Sequence, residues 1–191
     1  MTAATPPEAT ADPLSRELLQ SVVDVARAIF GAQASSLLLH DEQDDALVFQ
    51  AVSGEGENHL VGRRFPTGRG IAGWVLSSGE AMVVDDLARN ATFDRELAES
   101  TEFVPDTIMA APLCHGDRVL GVLEVLDPVP QSRSSLGELD LLALFAHQAA
   151  TALRVVQERR VGVTHPGWDR AAALDLVHSL KDCLESGAPA S

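Results

Sequence analysis

The chain has 191 residues, 46% hydrophobic and 22% charged, a balance that suits one globular domain with helical extensions better than two full domains. Its formal charge of −14, from 14 basic and 28 acidic residues, repels phosphate backbones and anionic lipid, which argues against nucleic acid or membrane as a direct partner. There is no bilayer-length apolar run and no secretory signal pattern, Cys114 and Cys183 are too few for a disulfide framework, and aromatics at 4% with no Tyr are too few for a base-stacking platform, so a cytoplasmic setting is expected.

Residues 1–12 are Ala, Thr, Pro and acid without periodicity and are predicted to be a disordered tail. From Leu14 to Phe30 two apolar series run together. Leu18, Val22, Val25 and Ile29 form one, and Leu19, Val23, Ala26 and Phe30 the other, which predicts a helix with a broad apolar face ended by Gly31. Ala34–Leu39 and Ala46–Val52, joined by the acidic turn Asp41–Asp45, predict an antiparallel hairpin. Residues 53–68 read as a polar, Gly-rich loop, Ile71–Leu76 as a short helix stopped at Ser77–Ser78–Gly79, and Ala81–Val84 as a brief strand. A mixed stretch over 87–105 holds a short helix after Thr92.

Ile108–Leu113 and Val119–Leu126 predict a second hairpin around His115–Gly116–Asp117. From Leu136 to Val156 the residues Leu139, Leu142, Ala146, Ala149, Leu153 and Val156 step by three and four, the spacing of an a/d seam. A second series, Leu141, Phe145, Ala152 and Val155, can face the sheet at the same time. This doubling predicts a second buried contact, read as a parallel homodimer built from both terminal helices with Leu18 and Val22 joining the seam. After Gly162, Pro166 and Gly167, residues 170–185 carry an amphipathic stripe, so the chain divides into a tail (1–12), a domain (13–160) and a hinge with a C-terminal helix (161–191). Tight hairpins favour an antiparallel sheet, and the flanking helices must cover one of its faces, giving an α+β layered fold.

The segment PTGRGIAGWVLSSGEAMVVDDLARNATF (66–93) closely resembles the central signature of GAF domains, with its PxGxGIxGxV turn and helix, acid-ended strand and polar loop. MAAPLCHGDRVLGVLEVLDP (109–128) is similar to that family's second hairpin, and LLALFAHQAATAL (141–153) to its closing helix. The resemblance spans about residues 14–158 and implies a six-stranded antiparallel sheet, with the first and last helices on one face and a ligand cavity on the other. It implies a non-catalytic sensory or regulatory domain that binds a small molecule and signals through a helical dimer to an unidentified protein partner. Under it, the ligand contacts expected here are Trp74, Asp85, Asp86, Phe93, Phe103, Met109, Ala111 and Glu124. An alternative is a GAF-fold protein–protein scaffold with a vestigial cavity, since Met109, Ala110 and Ala111 bring little polarity to the expected cavity strands.

Several patterns compete with that reading. Gly68, Gly70 and Gly73 spell GxGxxG and Asp85–Asp86 follow, yet Arg63-Arg64-Phe65-Pro66 cannot be the buried parallel strand that a dinucleotide crossover requires. The glycines are read instead as a tight turn and a close packing of helix on sheet. Asn90 and Thr92 read as caps as readily as ligand contacts. Cys114–His115 follows Pro112–Leu113, whereas the bilin-anchoring pair of photoreceptor relatives precedes that position. A methionine sulfoxide reductase would need a resolving thiol near Cys114, and Cys183 lies outside the domain. The six histidines show no metal-ligand spacing, no residue favours haem, and the Asn-Lys…Phe…Asp-Glu set of the cyclic-nucleotide binders is not reproduced. Glu124 interrupts an apolar strand, so its carboxylate must meet water, a partner or a cavity. The cofactor is left open.

Overall fold

In a computed structural model, residues 13–163 are described except 58, 102 and 130–136, with side chains at 97 and 155–163 also outside the description. The expected N-terminal tail and the amphipathic helix at 170–185 lie outside the described residues. In chain order the elements are α1 (Pro13–Phe30), β1 (Ala34–Asp41), β2 (Ala46–Gly54), β3 (Arg64–Pro66), α2 (Gly70–Ser78) and β4 (Met82–Val84). A 3₁₀ turn at Leu87–Arg89 follows, then α3 (Arg95–Ser100), β5 (Ile108–His115), β6 (Arg118–Leu126) and α4 (Glu138–Val163).

The six strands form one sheet in the order β3-β2-β1-β6-β5-β4, with every pairing antiparallel. The two predicted hairpins are β1–β2 and β5–β6, and β1 pairs with β6 to weld them at the centre. Their turns use the residues that tolerate a left-handed backbone: Asp45 (φ 46°) in the first and Gly116 (φ 57°) in the second. The predicted stops also hold, since Gly31 (φ 58°) ends α1 and the Gly79 N–H (φ 68°) returns to the Val75 carbonyl at 3.0 Å to end α2. One strand departs from expectation. Residues 64–66, expected within a loop, pair with β2 as the edge strand β3, too short for periodicity to reveal.

Two cores lie on opposite faces of the sheet. On one face Leu19, Val23, Ala26 and Phe30 of α1 pack with Leu37, Leu113, Leu123 and Val125 of the sheet and with Leu142, Ala146, Ala149 and Leu153 of α4. On the other, Leu38, Phe49, Val52, Ile108 and Val122 pack under Ile71 and Val75 of α2, with Leu87 beside them. Strand alternation divides neighbours between these faces, and a bulge between Leu37 and Leu38 shifts the register on β2 from Ala51 to Phe49. Phe49 and Val52 thereby face the same side despite their odd spacing.

This packing corrects the dimer seam. Leu142, Ala146, Ala149 and Leu153 are 0–2% exposed within the single chain, so they belong to the domain's own core and not to a subunit interface. An a/d stripe is the same pattern whether a helix lies on a sheet or on another helix. Leu18, Val22 and Leu139 are half-buried, and the side chain of Val156 lies outside the described residues. The apolar surface left on α1 is a separate stripe, Leu14, Val25 and Ile29 at 51%, 43% and 38% exposure, beside Leu18 and Val22. No described helix is long and apolar enough to cross a membrane.

Candidate functional site

The sheet face away from α1 and α4 is not filled completely. Beneath α2 and the segment following β4 lies a cavity of about 110 Å³. Its floor is the sheet: Ser36 and Leu38 from β1, Leu47, Phe49 and Val52 from β2, Ile108 from β5, and Glu124 and Leu126 from β6. Its roof is Gly70, Ile71 and Ala72 at the start of α2, with Phe93, Asp94, Ala98, Thr101 and Phe103 from the covering segment. Phe49 and Phe65 meet edge to face with ring centroids 5.3 Å apart and stiffen one wall. Four of the chain's six phenylalanines (49, 65, 93 and 103) line this space, which is half of its aromatic residues.

The polar exception in the floor is one pair. Ser36 and Glu124 are direct partners across β1 and β6, and the Ser36 hydroxyl donates to Glu124 Oε2 at 2.9 Å. Ser35 points to the opposite face, where its hydroxyl donates to the Glu124 backbone carbonyl at 2.9 Å. Glu124 is only 8% exposed. Burial disfavours its charged form, and one hydroxyl donor offsets this only in part, so the carboxyl is pushed up to about 7.

The covering segment is tied down at both ends. The Leu87 N–H donates to the Asp106 carbonyl at 3.0 Å, and Asp127 Oδ1 accepts from the backbone N–H groups of Asp106 and Thr107, each at 2.9 Å. From the β2–β3 side, Arg63 donates to the Ser100 carbonyl at 2.7 Å and the His59 ring to the Thr101 carbonyl at 3.1 Å. At the mouth, Arg69 binds Asp94 at 2.5 Å, with Glu96 at 3.5 Å. Both Arg69 and Asp94 also line an outer groove of about 500 Å³ whose walls include Trp74, Ser77 and Thr92. The ion pair therefore stands between interior and groove.

Among the residues singled out in the sequence, the cavity gathers Phe93, Phe103 and Glu124. Trp74 lies outside it, in the groove beside Phe93. Asp85 and Asp86 are exposed, and Asp86 pairs with Arg89 at 3.4 Å instead of rimming the cavity. Met109 and Ala111 need correction: they point to the helix-covered face, while Ile108 and Ala110 face the other side. A shift of one residue in strand phase exchanges the faces, and an all-apolar strand such as β5 offers no alternation to set that phase. Asn90 Oδ1 accepts from the Thr92 N–H at 2.8 Å, closing a local turn, and Thr92 lines the outer groove.

Ser36, Arg69 and Asp94 were missed. The Ser35–Ser36 pair inside an apolar run was the available signal for the first, whereas nothing local links Arg69 to Asp94. In the GxGxxG stretch, Gly68 meets nothing within 4 Å and Gly70 takes φ 71°, while a Cβ on Gly73 would lie 2.3 Å from the Thr67 carbonyl oxygen. The close approach is thus of α2 to its own preceding turn, not to the sheet. No group of three metal-ligating side chains occurs among the described residues.

The GAF-domain family profile matches residues 15–154. This chain belongs to the GAF domain family. A GAF domain from a Coxiella burnetii phosphoenolpyruvate-protein phosphotransferase superposes with a TM-score of 0.64 at 22% identity, covering 80% of this chain and 89% of that one. The GAF-B domain of DevS from Mycobacterium smegmatis gives 0.60 at 18% identity, covering 76% and 97%. At such identities the likeness is one of fold. In sequence, the chain is 26% identical over 115 residues to the Caenorhabditis elegans protein named "Probable 3',5'-cyclic phosphodiesterase pde-5". The match covers 56% of this chain and 16% of that phosphodiesterase, so what is shared is a regulatory-type domain of a much longer protein.

Proposed function

We propose that this GAF domain is a non-catalytic sensor that holds a small molecule in the cavity on the sheet and passes its occupancy to the terminal helices. The single observation that carries this reading is the cavity itself: covered, walled by aromatic and aliphatic side chains, with one convergent polar pair in its floor. The strands that floor it are the strands on which α1 and α4 rest. On β1, Ser36 and Leu38 face the cavity while Leu37 and Leu39 face the helices, and on β6 Glu124 alternates with Leu123 and Val125. A ligand that shifts these strands acts on the helices without a relay of loops. It biases the helices only by its differential affinity for two arrangements.

A second copy of the chain is the partner favoured for output. Its contact face is the α1 stripe of Leu14, Val25 and Ile29 flanked by Leu18 and Val22, all left uncovered or half-covered by the chain's own fold. One observation favours the scaffold alternative. The 110 Å³ cavity is small beside the ~300–1,000 Å³ typical of ligand sites, so a larger ligand requires the covering segment to lift.

Native mass spectrometry of the purified protein, with a thermal-shift screen of small metabolites, tests the proposal. The expected result is a bound mass or a stabilising compound whose effect is lost in Phe93→Ala and Phe103→Ala. If neither a bound mass nor any stabilising compound is found, while the chain still self-associates, the scaffold reading replaces the sensor.

A further inference from the structure

The Ser36–Glu124 pair narrows the class of ligand, given the reading of the cavity as a ligand site. Of the two carboxyl oxygens, Oε2 accepts from Ser36, and Oε1 takes no hydrogen bond among the described residues. Glu124 lines the cavity, so Oε1 opens onto it. We propose that the cavity takes a compact, largely apolar ligand with one cationic nitrogen head, an ammonium or amidinium, seated on Oε1 of Glu124.

Charge supports this choice over an anion or a neutral group. The other charged side chains around the cavity are Glu55, Arg69 and Asp94. Glu55 is exposed at the rim, and Arg69 is held by Asp94 at 2.5 Å and Glu96 at 3.5 Å, so among the described residues that line the cavity no cation is left to balance Glu124. Across the sheet its neighbours are Ser36 on β1 and Ala110 on β5, neither of them charged. A charge-assisted N–H···O bond from the ligand satisfies an otherwise costly buried carboxylate. The phenylalanines of the wall are aromatic surface of the kind that attracts a cation, and the chain's charge of −14 draws cations and repels anions before contact.

The test uses three isosteres, benzamidinium, benzamide and benzoate, titrated calorimetrically into the full chain at pH 6 and pH 8. Benzamidinium is expected to bind at least tenfold more tightly than benzamide at pH 8, with benzoate weakest. Because the empty carboxyl titrates at about 7, cation binding must expel its proton, so benzamidinium affinity rises about tenfold from pH 6 to pH 8 while that of benzamide does not. Glu124→Gln should level the three ligands, and its near-native shape limits the risk of misfolding. The comparison among ligands on the unaltered chain stands even if that variant fails. Equal or tighter binding of benzamide or benzoate overturns the cationic head, as does an amidinium preference that survives in Glu124→Gln. If those neutral or anionic binders are lost in Phe93→Ala, the cavity reading survives the defeat of this one. If none of the three binds, the head-group assignment falls, and the metabolite screen decides the cavity reading separately.

Discussion

Replacing Glu124 by Gln should stabilise the ligand-free protein, and more so as pH rises. The carboxyl titrates at about 7 in the fold against 4.5 as a free side chain. Each pH unit of such a difference is worth about 1.4 kcal/mol, so keeping the ionised form buried costs about 3 kcal/mol. The sign follows from proton uptake. Between about 4.5 and 7 the folded state binds the proton more strongly than the unfolded state, so the acid's contribution is most favourable below that window. It is lost as pH climbs through about 7 and then levels off. Gln keeps an amide oxygen to accept from Ser36 and carries no charge, leaving only an amide N–H₂ facing the cavity. Urea unfolding of both proteins at pH 5 and pH 8 measures the effect, and taking the difference between variant and wild type cancels every other titration. Little difference is expected at pH 5. At pH 8 the variant should lead by about 2–3 kcal/mol, a rise in Tm on the order of 10 °C for a domain of this size. A variant no more stable at pH 8, or a gain independent of pH, would refute the buried-carboxylate argument.

Four further outcomes follow from the packing. Asp94→Asn removes the ion pair to Arg69 at the cavity mouth and should raise hydrogen exchange several-fold across residues 90–101, read by mass spectrometry, with the sheet unaffected. Gly73→Ala places a methyl 2.3 Å from the Thr67 carbonyl oxygen, a backbone atom that cannot swing away, and should cost about 1–3 kcal/mol in chemical denaturation. Gly68→Ala, with open space around it, serves as the control. Leu142→Ala should cost about 2–5 kcal/mol because that side chain is fully buried in the core. Val25→Glu, on the uncovered face of α1, should leave stability nearly unchanged and convert the proposed dimer into a monomer in analytical ultracentrifugation. If Val25→Glu unfolds the chain, the stripe is core and not surface.

The parts of the fold legible in the sequence are those written in local chemistry. Gly31, Gly79 and Gly116 each stand where the backbone turns left-handed, and Asp45 does the same at the first hairpin. Flanked by these stops, the apolar runs of β1, β2, β5 and β6 and the three-four spacing of α1 and α4 leave few other element assignments. The motif order over 66–153 then identifies the family. Glu124, a carboxylate among Val122, Leu123, Val125 and Leu126, announces by its cost alone that it faces something unusual.

Tertiary structure alone decided which side of each element does what. Strand phase in β5 is invisible where Ile108, Met109, Ala110 and Ala111 are all apolar, and only pairing with β6 and β4 sends Met109 and Ala111 to the helices. The α4 stripe is equally silent about whether sheet or second subunit covers it, because both present a flat apolar surface at the same spacing. Partners distant along the chain, Ser36 with Glu124 and Arg69 with Asp94, exist only once the sheet closes in its 3-2-1-6-5-4 order. Local propensity acts over a few residues. A cavity assembled from two hairpins, a short helix and a covering loop is a non-local object, set by the global packing.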